Sequence, residues 1–252
     1  MMVGEKSSII PLLMVRGKKS KRLAVRITGG CGFMEEDGKS LYRYANAFKN
    51  IEGLVVIGGG TRMLNLPECK TIRPGITELL PRIKKVNPSA QTVGIAPRIE
   101  EESTPDEEGM VMSMEMLDDR IVFFHHHHIR HEASVGYVTA FMPGNDILVQ
   151  IQKDVDTGCK WFDEVMTAVH WMRLMQEEAD FKLATVFYNG GSTTERELLM
   201  TVRLGWPAIL IKGSGRVTDK YANDAEFLAA NPNVIVVETP RQLQKVLEAM
   251  NK

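Results

Sequence analysis

A chain of 252 residues, 44% hydrophobic and 25% charged, has enough apolar material to bury one large core. Its 31 Lys plus Arg stand against 32 Asp plus Glu, for a formal net charge of -1. No overall field then steers the surface onto DNA or an anionic membrane, so neither nucleic acid nor membrane is expected as a partner and any anion site has to be local.

Residues 1–22 read as an N-terminal extension. The apolar stretch at 9–15 is short, contains Pro11, and is followed rather than preceded by the basic residues Lys18, Lys19, Lys21 and Arg22. It therefore fits neither a membrane span nor a signal peptide. From residue 23 onward, apolar β-prone runs alternate with amphipathic ones, at 23–28, 54–57, 92–96, 146–151, 183–188, 208–211 and 234–237. Near-continuous apolar strands separated by helices predict an α/β protein, a Rossmann-like doubly wound and mostly parallel sheet covered on both faces. One nucleotide-binding domain over 23–252 is expected, with an insertion at 100–145.

That insertion breaks the rhythm. Glu100, Glu101, Glu102, Asp106, Glu107 and Glu108 surround Pro105, which reads as an acidic loop. Residues 121–146 then read as strands or a hairpin arm carrying His125, His126, His127 and His128. If the run is a strand, His126 and His128 share one face. With His131 they are weak candidates for a metal site, since no ligand spacing of a recognised kind accompanies them, and no cofactor is expected. Further on, Trp161, Phe162, Val165, Val169, Met172 and Met175 recur at helical spacing between Gly158 and Asp180, predicting the longest helix with its methionines and aromatics in the core. Thr239-Pro240 suits the N-cap and first position of a last helix that turns Leu243, Val246, Leu247 and Met250 inward. The three cysteines, Cys31, Cys69 and Cys159, are widely spaced with no CxxC pair, so neither a disulfide framework nor a zinc knuckle is expected and a cytoplasmic setting is.

Four apolar strands run straight into turns of glycine and hydroxyl residues: Thr28-Gly29-Gly30, Gly58-Gly59-Gly60-Thr61-Arg62, Gly190-Gly191-Ser192-Thr193-Thr194 and Gly213-Ser214-Gly215-Arg216. Three lead into predicted helices, the second and third turns among them. Glycine lets backbone N–H groups come close to a phosphate, and a following helix N-terminus adds orphan donors and partial positive charge. Parallel strands end on a common edge, so the four turns are expected to converge on one pocket. Tight βα turns also use glycine without binding anything. None of the turns matches GxGxxG or GxxxxGK[ST], which argues against an ordinary dehydrogenase or ATPase.

The order Thr28-Gly29-Gly30, Gly58-Gly59-Gly60-Thr61, Val93-Gly94-Ile95-Ala96-Pro97 and Asn189-Gly190-Gly191-Ser192-Thr193-Thr194-Glu195-Arg196-Glu197 resembles the SLOG superfamily. That superfamily includes the LONELY GUY (LOG) phosphoribohydrolases, DprA-like proteins and the cytosolic N-terminal domains of TRPM channels. The run Ile211-Lys212-Gly213-Ser214-Gly215-Arg216-Val217-Thr218-Asp219 resembles the GSGR turn of the TRPM-type, LSDAT branch. The resemblance implies a domain that binds or senses a small nucleotide such as an ADP-ribose-like ligand, and, by analogy with SLOG enzymes, a homodimer formed through the apolar surface of the methionine- and tryptophan-rich longest helix.

Laid on the PGGxGTxxE turn of the LOG enzymes, the chain has Asn189 at the proline, Thr193 at the third glycine, Thr194 at the threonine and Glu197 at the carboxylate; Arg173-Leu174 stands where those enzymes have an Arg-Lys pair. Arg173 and Glu197 are the candidate catalytic residues of the alternative reading, N-glycosidic cleavage of a nucleoside monophosphate, which needs a carboxylate beside the ribosyl centre and a cation on the phosphate. A scaffold that keeps the fold without a ligand is the third reading.

Overall fold

The computed structural model describes residues 22–30, 41–59, 61–65, 76, 79–97, 121–124, 137–141, 147–151 and 161–252. Strands β1 (Leu23–Gly29), β2 (Leu54–Gly59), β4 (Gln91–Pro97), β5 (Ile121–Phe124), β7 (Ile147–Ile151), β8 (Lys182–Tyr188), β9 (Ala208–Ile211) and β10 (Val234–Val237) form one sheet of eight strands in the order β10-β9-β8-β1-β2-β4-β7-β5. Every pairing in it is parallel. Strands β3 (Thr61–Asn65) and β6 (Tyr137–Phe141) make a separate antiparallel pair.

The strands read as apolar runs because both faces of the sheet are covered. Along β1, alternate residues face opposite sides: Val25 and Ile27 join the core beneath the 3-10 helix (Tyr44–Phe48), α1 (Leu79–Val86) and α6 (Pro240–Met250), where Phe48, Leu80, Leu243 and Leu247 are buried. Ala24 faces the other way, into the core beneath α2 (Trp161–Ala179), together with Val55, Ile57, Val93, Trp171 and Met172. On that same face Phe187 and Leu210 meet Leu198 of α3 (Ser192–Arg203) and Ala222 of α4 (Arg216–Ala222). A short α5 (Ala225–Ala230) precedes β10.

Chain direction across the sheet reverses at β1. Strands β1, β2, β4 and β7 step one way, and β8, β9 and β10 step the other from the opposite side of β1. Right-handed crossovers in the two directions put helices on opposite faces, which is why α1 and α3 lie on different sides. The carboxyl ends of β1 and β8 therefore flank a topological switch point, where open α/β sheets take their ligands.

Two expectations about the insertion and its surroundings change. The arm is not a hairpin of its own: β5 extends the main sheet beside β7, while β6 pairs with β3. Thr61 and Arg62 open strand β3 rather than a helix, because the segment after β2 finds a strand partner in β6. The acidic loop and the histidine run lie outside the described residues. Among the described residues no cluster of His, Cys, Asp or Glu is arranged to hold a metal ion, and no helix is long and apolar enough to cross a membrane.

Several of the apolar residues that suggested a helix-mediated dimer are packed inside the molecule, while Met166 of the same helix is exposed. Trp171, Met172 and Met175 are each at most 1% exposed, packed between α2 and the sheet.

Candidate functional site

Three of the four glycine turns converge at the switch point. β1 ends in Gly29-Gly30, β8 in Asn189-Gly190-Gly191, and β9 in Gly213-Ser214-Gly215 before Arg216. Their proximity is measured by what a side chain on each glycine would meet. A Cβ on Gly30 would lie 3.2 Å from the Gly190 nitrogen and 3.6 Å from Arg216 Nη1, and one on Gly191 would lie 2.9 Å from Arg216 Nη2. The Arg216 guanidinium, carried on the turn that follows β9, thus lies over the glycine backbone at the ends of both β1 and β8.

The turn after β8 depends on Gly190, whose φ is +95° and whose added Cβ would lie 2.5 Å from the Thr194 side chain. Buried Thr194 closes over that glycine from the first turn of α3. Asn189 beside it also takes a positive φ, +58°, a conformation Asn tolerates better than most residues. Asn189 is locked on both sides: its N–H donates to Ser214 Oγ at 2.8 Å, and its carbonyl accepts from the Thr218 hydroxyl at 2.7 Å. Gly191, the N-cap of α3, is extended with φ -119° and provides no side-chain cap, so the first N–H groups of the helix receive no side-chain partner from it.

The GSGR turn does something other than expected. Gly213 N–H and Gly215 N–H donate to the two carboxylate oxygens of Asp219 at 2.7 and 3.0 Å, and Ser214 Oγ accepts from Asn189. The donors of Gly213 and Gly215 are engaged within the protein, leaving Arg216 as the member of that turn that reaches the crevice. Arg216 is exposed and has φ +47°, a left-handed conformation that costs a non-glycine residue about 1–2 kcal/mol. Among the described residues no carboxylate pairs with its guanidinium.

The second turn leaves β2 on the same sheet edge, next to β1. Gly58 and Gly59 lie within β2, in register with Gly94 and Ile95 of β4. A Cβ on Gly58 would come 2.4 Å from Leu80 Cδ1, so Gly58 serves the approach of α1 to the sheet rather than the approach of a ligand. Gly60 lies outside the described residues.

Glu197 and Arg173 have different partners. Arg173 is on the exposed side of α2 and pairs with Glu177 at 3.0 Å, one helical turn on. Glu197, 1% exposed, pairs instead with Arg26: its Oε1 accepts from Arg26 Nε at 3.0 Å and its Oε2 from the Thr28 hydroxyl at 2.5 Å. The hydroxyl of Thr28 is therefore turned to the protein interior. Arg26 was missed in the sequence, although a lone charge inside the run Leu23-Ala24-Val25-Arg26-Ile27 signals a buried partner.

On the outer side of α3, Glu195 accepts from Lys220 Nζ and from the Tyr221 hydroxyl, both at 2.7 Å. The hydrogen bond from Lys220, then that from Tyr221, holds the Glu195 carboxyl below its ordinary range. Lys220 is raised by the same contact, and the Tyr221 phenol is raised first by burial and then by Glu195. This pair ties the first turn of α3 to α4, the helix that Arg216 begins.

Residues 155–249 match the family described as SLOG in TRPM, prokaryote. Over this part the chain is similar to a SLOG domain of that type. A search of curated proteins gives no match. Among solved structures, TM1055, a structural-genomics protein, is 16% identical with a TM-score of 0.51, covering 90% of this chain and 99% of its own. The molybdenum cofactor carrier protein of Chlamydomonas reinhardtii is 9% identical with a TM-score of 0.50, covering 91% and 98%. At these identities the likeness is one of fold, and it extends the Rossmann-like outline beyond residues 155–249.

Structures with a weaker overall match include DNA processing protein A from Helicobacter pylori, described by its single-stranded DNA binding mode, at 11% identity and a TM-score of 0.43, covering 94% of this chain and 86% of its own. The expectation that nucleic acid is excluded is withdrawn, for a physical reason. A net charge near zero averages over the whole surface and does not forbid a local strand-binding groove.

Proposed function

We propose that this SLOG-like domain binds a phosphate-bearing nucleotide or nucleotide derivative, of the ADP-ribose-like class that the TRPM-type resemblance implies, in the crevice between the ends of β1 and β8. The reading takes 23–252 as one nucleotide-binding domain. It is carried by one observation, the Arg216 guanidinium set over the backbone of Gly30 and Gly191 at the topological switch point. Supporting it, α3 begins at Gly191 without a side-chain cap, and an open helix N-terminus attracts an anion through its N–H groups and its partial positive charge. Ser192 and Thr193 stand at that helix start with hydroxyl donors. Thr28, Gly213, Ser214 and Gly215 shape the crevice walls in this reading and make no contact with the phosphate.

Binding without cleavage is the version favoured. Both carboxylate oxygens of Glu197 are bonded within the protein, whereas N-glycosidic cleavage requires a carboxylate that reaches the ribosyl centre. The test is calorimetry of the wild-type protein against AMP, ADP-ribose, NAD, cyclic nucleotides and molybdenum cofactor, with release of ribose phosphate followed in parallel. At least one phosphate-bearing compound is expected to bind, and Arg216→Gln to weaken it more than about tenfold. Wild type that binds none of the panel overturns the reading; release of ribose 5-phosphate from AMP returns the protein to the hydrolase alternative.

A further inference from the structure

We infer that Glu197 is a positioning residue: its buried carboxylate couples the Gly29-Gly30 turn of β1 to the N-terminal turn of α3, the two walls of the crevice. The proposal rests on the binding reading for its bearing on ligand, and on geometry alone for the coupling itself.

Glu197 projects from the second turn of α3 toward the sheet, and its two oxygens take different residues of β1, Arg26 through Nε and Thr28 through its hydroxyl. Arg26 and Thr28 alternate with Val25 and Ile27 along the strand, so both face the side of the sheet that carries α2 and α3. Thr28 is the residue immediately before Gly29. The ladder to β8 runs on through Gly29, in register with Tyr188, and past it Gly30 N–H reaches the Tyr188 carbonyl at 3.4 Å, long for an N–H···O bond. On the helix side, Gly191 contributes no cap, and the first turn is closed by Glu195 N–H donating to the Gly191 carbonyl at 2.9 Å.

Each wall has its own backbone bonds, and the carboxylate between them, bonded to one and covalently part of the other, adds a side-chain link from wall to wall. Its burial keeps water and salt from competing for those bonds, and hydrogen bonds to an ionised group are the stronger kind. A side chain so engaged sets the spacing of a site and does not take part in its chemistry.

Amide hydrogen exchange on the ligand-free protein tests this. Thr28→Val deletes the hydroxyl, preserves the shape of the residue and leaves the Arg26–Glu197 pair in place. Gly30 and Glu195 amides are expected to exchange about fivefold faster together, the effect of one lost buried hydrogen bond on local opening, while the amides of α6 keep their wild-type rates. Thr28→Ser, which restores the hydroxyl, returns both to wild type. If Gly30 and Glu195 do not move together, or if every amide in the protein accelerates by the same factor, the positioning role is overturned. Arg216→Gln touches neither Glu197 nor Thr28, so its effect on AMP or ADP-ribose binding reports on the proposed function separately. Coupled exchange in a protein that binds no nucleotide upholds the positioning role and removes the nucleotide reading alone.

Discussion

Arg216 carries two features that oppose one another. Its backbone sits in the left-handed region, where a side chain is a cost, yet its guanidinium is the group that spans the turns of β1 and β8. Arg216→Gly is therefore expected to hold or raise stability, by up to about 1 kcal/mol, while losing ligand binding by more than about tenfold. Urea denaturation and calorimetry on the same preparation check both halves, and a variant that loses stability and binding in proportion contradicts the assignment. Glu197 presents the reverse case. Its truncation to Ala takes the carboxylate away from the buried Arg26 guanidinium, and breaking a buried pair from one side costs about 3–5 kcal/mol. Equilibrium unfolding measures that loss; a value under about 1 kcal/mol would mean that water reaches Arg26, contrary to its 3% exposure.

Among the elements, β2 and α1 show how a glycine-rich motif divides its labour. Gly58 and the turn at Gly190 look alike as sequence, but Leu80 of α1, itself 1% exposed, packs directly over Gly58. Gly58→Ala forces a methyl into that contact, and overpacking of this kind costs about 1–3 kcal/mol. Shortening the opposing side chain with Leu80→Val in the Gly58→Ala background is expected to recover part of the loss, which a double-mutant cycle reads as coupling between the two positions. Independent, additive effects would show that α1 does not rest on that glycine. At the other end of the chain, α6 starts as its sequence indicates: the Thr239 side chain accepts from Gln242 N–H and Gln242 Oε1 accepts from Thr239 N–H, with Pro240 in the first turn.

For the molecule as a whole, Tyr44 links distant parts of the chain. Its hydroxyl donates to the Glu238 carbonyl at 2.9 Å, from the 3-10 helix after β1 to the end of β10, and its ring meets Tyr188 edge-on. Burial first, then the neighbouring Tyr188, pushes its phenol up to about 12 from 10.0. A raised folded value means that stability is fully present below the unfolded value and is lost as pH rises: between 10 and about 12 the unfolded chain releases the proton while the folded one retains it. Stability is expected to fall through that window, and Tyr44→Phe to remove this part of the slope. Chemical denaturation at a series of alkaline pH values decides it, and equal slopes in the two proteins would refute the linkage.

The sequence by itself determined the elements. A parallel sheet covered on both faces demands apolar runs, so β1, β8, β9 and β10 were visible as strands to within a residue at each end, and the period of Val165, Val169, Met172 and Met175 marked α2. It also carried the SLOG resemblance, because glycine and hydroxyl residues at strand ends are local necessities of chain direction. Tertiary structure alone decided what each of those residues meets. Whether a glycine faces an Arg side chain over a crevice, as at Gly191, or a helix side chain, as at Gly58, depends on what packs from elsewhere in the chain. Glu197 and Arg173 offered a plausible pair of charges, yet a buried charge takes the partner that folding brings to it, and that partner, Arg26, lies 171 positions away. The switch point itself arises from strand order, a long-range property that no local pattern encodes.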